Sequence, residues 1–166
     1  MTSRRRFSRE EPSKNFVAFV IGDVRYALPI AAVREIVNPL GLIELPGAPT
    51  ALMGVAQYRD EVLPVVSMRA RLGLPAQSAT RQTRWIIIEF ENTRAAVVVD
   101  AVTEVFQSSG TTKTPALGAH EQQRGIVGVA GKSGALVFVL DVAAITAFAA
   151  PTNNDTLALA EAHGEK

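Results

Sequence analysis

The second half of this chain repeats its first half, and that repetition limits the possible folds more than any other feature. Phe16-Val-Ala-Phe-Val-Ile21 lies over Trp85-Ile-Ile-Ile-Glu-Phe90 at a shift of 69 residues. In the same register Arg25 falls on Arg94, Val33 on Val102, Glu35 on Glu104, Ile36 on Val105 and Pro46 on Pro115. Past a five-residue insertion the shift becomes 74, which sets Gly54-Val-Ala over Gly128-Val-Ala and Val62–Val66 over Leu136–Leu140. Ser67 then stands opposite Asp141, where each copy turns from strand to helix. Two long gapless registers that also align turns go beyond the general likeness of Val-rich strands, so the chain consists of two copies of one unit.

Each unit is written in short runs rich in Val and Ile, broken at close intervals by Gly, Pro and Asn, the pattern of small sheets or barrels. Strands are predicted over Phe16–Ile21, Val24–Pro29, Leu42–Leu45, Leu52–Tyr58, Val62–Val66, Trp85–Phe90, Arg94–Asp100, Ile126–Ala130 and Ala135–Leu140. Val102–Phe106 fits either a strand or a short helix. Helices are predicted at Ile30–Val37, at Met68–Leu72 before Gly73, and at Val142–Phe148 before Pro151. About five short strands per unit are too few for an open sheet to hide its edges, so each unit is expected to close into a small barrel. The fold class is mainly β, with barrels over about 16–75 and 84–148, connector helices, a C-terminal helix and a groove between the units. Residues 1–15 read as a flexible basic arm and 151–166 as a flexible tail.

The charge balance narrows the partners. Seventeen Lys and Arg against sixteen Asp and Glu leave a net charge of +1, too little to draw the protein to nucleic acid or a membrane surface. Arg4, Arg5, Arg6 and Arg9 read as a solvated tail. No apolar run reaches membrane-spanning length, the N-terminus lacks the apolar core of a secretory signal, and cysteine is absent. A cytoplasmic protein with no direct membrane insertion is expected.

Groups for catalysis are scarce. His120 and His163 have no second His at ligand spacing, so no metal is expected. Gly131-Lys132-Ser133 resembles the end of a phosphate-binding loop, but Ile126 occupies the position of the required first Gly, and two strands flank the segment, as in a hairpin turn. Asp100 and Asp141 end apolar strands and are assigned to turns or helix caps. No cofactor is implied. The first hairpin is the unusual place, with Tyr58 and Arg59 beside an expected turn at Asp60-Glu61 and Glu35 within reach from the preceding connector. Such residues anchor interfaces when a carboxylate holds the guanidinium, and they also occur as plain surface ion pairs.

In order and spacing the chain resembles the CheW-like domain, the adaptor module of bacterial chemotaxis. The resemblance covers about residues 15–149. It is carried by Tyr26-Ala-Leu-Pro-Ile30, Val33-Arg-Glu-Ile36, Leu45-Pro-Gly-Ala-Pro49, Gly54-Val, Arg59, Val62-Leu-Pro-Val-Val66 followed by Arg69, Arg71, Leu72 and Gly73, Val98-Val-Asp-Ala-Val102 with Glu104-Val105, and Gly128-Val. It implies two five-stranded SH3-like barrels around a shared core. It also implies a non-enzymatic coupler that binds the regulatory domain of a CheA-type histidine kinase and the cytoplasmic hairpin tip of chemoreceptors. The matching partner-binding positions are Glu35 and Arg59, then Val33, Ile36, Gly54 and Gly128 around the barrel ends, and Val98 and Val99 on a strand facing the receptor groove. The chain departs from the family at Gln57-Tyr58-Arg59-Asp60, where Asn-Leu-Arg-Gly is usual, so Tyr58 and Asp60 are expected to tune partner choice. Asp60 is expected to take the positive φ that Gly would hold, and Ser67, in place of the usual Asp, to cap the next helix. Two alternatives stand beside the coupler. One is an accessory protein that keeps only one partner; the other, of a different class, is a nucleotide-dependent enzyme using Gly131-Lys132-Ser133 and Asp141.

Overall fold

A computed structural model describes residues 14–108, 125–132 and 135–149. The sequence readings at residues 1–13, His120, Ser133, Gly134 and the tail from residue 150 lie outside the described residues. The strands are β1 (Lys14–Ile21), β2 (Val24–Pro29), β3 (Val33–Val37), β4 (Ile43–Glu44), β5 (Leu52–Tyr58), β6 (Glu61–Ser67), β7 (Arg84–Phe90), β8 (Thr93–Val99), β9 (Ala101–Ser108), β10 (Ile126–Lys132) and β11 (Ala135–Leu140). Helix α1 is Met68–Arg71 and α2 is Val142–Ala149.

The strands form two sheets, ordered β10-β11-β2-β1-β9 and β3-β7-β8-β6-β5-β4. Each sheet therefore takes two strands from one copy and the rest from the other. This corrects the division into contiguous barrels at about 16–75 and 84–148, since the leading hairpin of each copy pairs with the later strands of its twin. The first barrel comprises β1, β2, β9, β10 and β11; the second comprises β7, β8, β3, β5 and β6, with the two-residue β4 at its edge. The exchange is reciprocal down to single residues. β6 runs parallel to β8 with Val65 opposite Ala96, and β11 runs parallel to β2 with Val139 opposite Ala27, the same pair under the two repeat shifts. A bulge between Val33 and Glu35 against β7 recurs at Thr103, where β9 passes β1.

The β3 segment also corrects the helix expected over Ile30–Val37. Only Ile30–Ala32 forms a 3-10 turn, and Val33–Val37 is a strand against β7. The β-branched residues Val33, Ile36 and Val37 suit a pleated strand, and β7 offers an unpaired edge there. Its counterpart Val102–Phe106, open between helix and strand in the sequence, lies within β9. Lys14 and Asn15, assigned to the arm, pair with Ser108 and Gln107 as the start of β1.

The exchange explains the unbroken apolar runs. β7 buries Trp85 and Ile87 inside the second barrel, and it turns Ile86 and Ile88 to a layer shared by both barrels. β1 likewise sends Phe16 and Ala18 into the first barrel and Phe19 and Ile21 into the shared layer. A strand covered on both faces has no polar alternation. Met68 and Leu72 from around α1, with Val142 and Ile145 of α2, complete the layer. Full burial of a side chain of this size contributes about 1.5–3 kcal/mol. Ser67 caps α1 by accepting from the Ala70 amide at 3.1 Å, and Asp141 accepts from the Ala143 amide at 3.0 Å, as expected of both.

One glycine is fixed by close approach. At Gly54 (φ +155°), a Cβ would lie 2.1 Å from the carbonyl oxygen of Ile43 in β4. At Gly131 a Cβ would meet nothing within 4 Å. Gly54→Ala is expected to cost about 2–4 kcal/mol in urea denaturation, and Gly131→Ala less than about 0.5 kcal/mol.

Candidate functional site

The second barrel is tied shut across its edges by side chains. Its sheet begins at β3 and reaches the β5–β6 hairpin near the opposite edge, and Glu35 of β3 meets that hairpin. Arg59 donates from Nη2 to Glu35 Oε1 at 2.7 Å, and the Tyr58 hydroxyl donates a very short bond to the same oxygen. The Arg59 guanidinium also lies 5.2 Å from the centre of the Tyr58 ring. Its side chain remains 67% exposed, so the other donors of its planar fork face outward.

Arg59 occupies a left-handed conformation at φ +55°. Tyr58 pairs with Glu61, so Arg59 and Asp60 form the two-residue turn. The turn expected at Asp60-Glu61 is thus shifted by one residue, and the positive φ falls on Arg59 instead of Asp60. A left-handed non-Gly residue costs of order 1–2 kcal/mol, and the bonds to Glu35 and the Tyr58 ring offset that strain.

The other residues singled out in the sequence are scattered. Ile36 is exposed beside Glu35, and Asp60 is exposed at the hairpin tip. Val33 packs against the shared layer, and Val98 against the second barrel's interior. Val99 is fully buried, with 0% exposure, which leaves it no side-chain surface for a partner. Gly54 and Gly128 are buried at equivalent bulges, against Val65 and Val139, and shape the strands instead of presenting a contact. Of the enzyme candidates, Asp141 is engaged as the cap of α2. No cluster of three metal-ligating side chains occurs among the described residues.

Two features escaped the sequence reading. A ladder of charges crosses β3, β7, β8 and β6. In it Arg34 donates to Glu89 at 2.9 Å, Arg94 lies 3.5 Å from the same carboxylate, and Arg94 also pairs closely with Glu61. Exposed Val62 lies beside it, at 64% exposure. The alternation of charge in separate strands was visible, but the pairing needs the exchanged strand order.

The other feature is an asymmetry between the two seams where the barrels meet. At one seam Arg69 grips Asp100 with two bonds, Nε to Oδ1 at 3.0 Å and Nη2 to Oδ2 at 2.8 Å. Asp100 also accepts from the Gly22 amide at 2.8 Å in the β1–β2 turn, so this node joins α1 to the first barrel. Under the repeat shifts the equivalents of Asp100 and Arg69 are Ala31 and Ala143. That seam stays open as a groove of about 530 Å³ whose lining includes Ala31, Ala32, Phe90, Val127, Val142 and Ala143.

The fold and site define an architecture of paired barrels with an ordered arginine hairpin and an open seam. Residues 15–149 match the CheW-like domain family, and the chain belongs to that family. It is 30% identical over 129 residues to the chemotaxis protein CheW of Rhizobium meliloti, covering 75% of this chain and 83% of that protein. It is 34% identical over 100 residues to the chemotaxis protein CheW of Helicobacter pylori, covering 60% of this chain and 61% of that one. The fold matches the crystal structure of the scaffolding protein TtCheW from Thermoanaerobacter tengcongensis with a TM-score of 0.69 at 24% identity, over 78% of this chain and 89% of the other. The chain is a CheW-type adaptor of chemotaxis signalling. Among the described residues no helix is long and apolar enough to cross a membrane.

The hydroxyl of Tyr58 and then the guanidinium of Arg59 hold the Glu35 carboxyl below its ordinary pKa of 4.5. A carboxylate depressed in the folded state stabilises the fold above its unfolded pKa, and this contribution fades as pH falls through the folded value. The stability difference between the native chain and Glu35→Gln is therefore expected to be full at neutral pH and to fall away progressively as pH drops below 4.5. Urea denaturation at a series of pH values measures it. Asp100→Ala strips Arg69 and the Gly22 amide of their acceptor, and is expected to lower stability by about 1.5–3 kcal/mol in the same assay at neutral pH.

Proposed function

We propose that this chain couples chemoreceptors to a CheA-type histidine kinase. The observation that carries this reading is the Arg59 guanidinium, held in a strained turn by Glu35 and Tyr58 yet left largely exposed. Strain kept at an exposed side chain is best accounted for by recognition. Exposed Ile36 adds apolar surface next to the ion pair, so this barrel end offers both an anchor and a contact area. It suits the kinase regulatory domain, whose resemblance to this fold implies a barrel of matching shape. The open seam has a floor of alanines and walls of Phe90 and Val127, which admits a helix at close range and suits the helical hairpin tip of a receptor. The array association of the protein follows from these contacts and needs no membrane insertion of its own.

A second reading, an accessory protein that serves only one partner, draws on Tyr58. Its hydroxyl occupies Glu35, so the carboxylate at this barrel end is already engaged by two donors.

Purified kinase regulatory domain and receptor cytoplasmic fragment, titrated separately by calorimetry, test both readings. Binding of both is expected, with Arg59→Ala weakening the kinase contact by about tenfold and Ala143→Trp weakening the receptor contact by a similar factor. Unchanged affinities in both variants count against the site assignment. Binding of one fragment alone selects the accessory reading.

A further inference from the structure

The duplicated barrels differ at their mouths, and one of them borders a cavity. In the first barrel Phe16 pairs with Phe106 across β1 and β9, and the two rings stack with centroids 5.4 Å apart. The equivalent pair in the second barrel is Trp85 opposite Val37. Val37 is too small to meet the indole as Phe106 meets Phe16. Trp85 also borders a recess of about 410 Å³, whose lining includes Met53, Val98, Leu74, Ala70 of α1 and the 76–79 segment.

The chemistry of the lining selects a ligand class. Its only charged side chains, Arg69 and Asp100, satisfy each other through two hydrogen bonds, so the recess carries no free charge for an ionic ligand. Most of the lining is apolar, and the hydroxyls of Ser67 and Thr83 accept hydrogen bonds from the Ala70 and Thr80 amides. The exposed Thr50, Gln77 and Ser78 carry hydroxyl and amide groups able to orient one polar substituent. The volume lies within the range of small-molecule sites, and every wall comes from this one chain. We propose that the mouth of the second barrel is a binding site for a small neutral aromatic molecule of two or three rings with at most one or two polar groups. The rings lie against Trp85 and Met53, and the polar group meets Thr50, Gln77 or Ser78. The site is separate from the exposed Arg59 hairpin and from the open seam.

Trp85 is the only tryptophan of the chain, so its emission reports on the recess directly. The full chain is titrated with N-phenyl-1-naphthylamine, a neutral probe that accepts energy from tryptophan. Saturable quenching of Trp85 at one probe per chain is expected, together with enhanced probe emission and a raised melting temperature. Ala70→Phe in α1 and Ala79→Phe in the 76–79 segment, both lining the recess, are each expected to weaken probe binding at least tenfold while keeping the native circular dichroism spectrum. Either folded variant is sufficient for the comparison. Absence of saturable quenching in the native chain overturns the proposal, and so does probe binding of unchanged affinity in a folded filled variant. Neither result bears on the titrations with kinase and receptor fragments, because the probe assay contains no partner.

Discussion

The shared apolar layer between the barrels is the constraint on which everything else rests. The hairpins β1–β2 and β7–β8 meet there through Phe19, Ile21, Tyr26 and Leu28 on one side and Ile86, Ile88, Val97 and Val99 on the other. Each hairpin then has a second apolar face and a free edge still to cover, and an uncovered sheet edge is a liability in water. The later strands of the opposite copy supply both covers. Neither copy retains a closed barrel without the other, so the two halves are expected to fold as one cooperative unit.

Within this symmetrical frame, the copies diverge at three places. Asp100 and Arg69 bolt one seam, whereas Ala31 and Ala143 at the equivalent positions leave the other open. Phe16 and Phe106 stack at one barrel mouth, whereas Trp85 in its twin faces Val37 and borders a recess. Glu35 has a matching residue in Glu104, but the hairpin that answers it, Tyr58-Arg59-Asp60, occurs in the first copy alone. Duplication supplied two of each surface, and substitutions at a few positions made the members of each pair unlike.

The hairpin also shows how strain is stabilised. A left-handed Arg at an exposed turn is unfavourable by itself, yet its guanidinium is held by a carboxylate from a strand 24 positions earlier and by the ring beside it. The same contacts close the second barrel. The one ion pair thus links the hairpin's shape to the integrity of β3.

Much of this was legible in the residues alone. The repeat, the positions of most strands, the caps at Ser67 and Asp141 and the likeness to CheW-like adaptors all follow from local pattern, because period, turn residues and register are written along the chain. The grouping of Glu35 with Tyr58 and Arg59 was visible too, since residue type limits which partners a guanidinium can find. Tertiary structure decided what depends on which strand lies beside which. It made Val33–Val37 a strand because β7 offered an edge, moved the positive φ to Arg59, enclosed Val99, and assembled the ladder from Arg34 to Glu61. Above all it exchanged the leading hairpins between the copies. Two identical units can pair within themselves or across, with the same local preferences satisfied either way, and only burial of both faces of β1 and β7 separates the two outcomes.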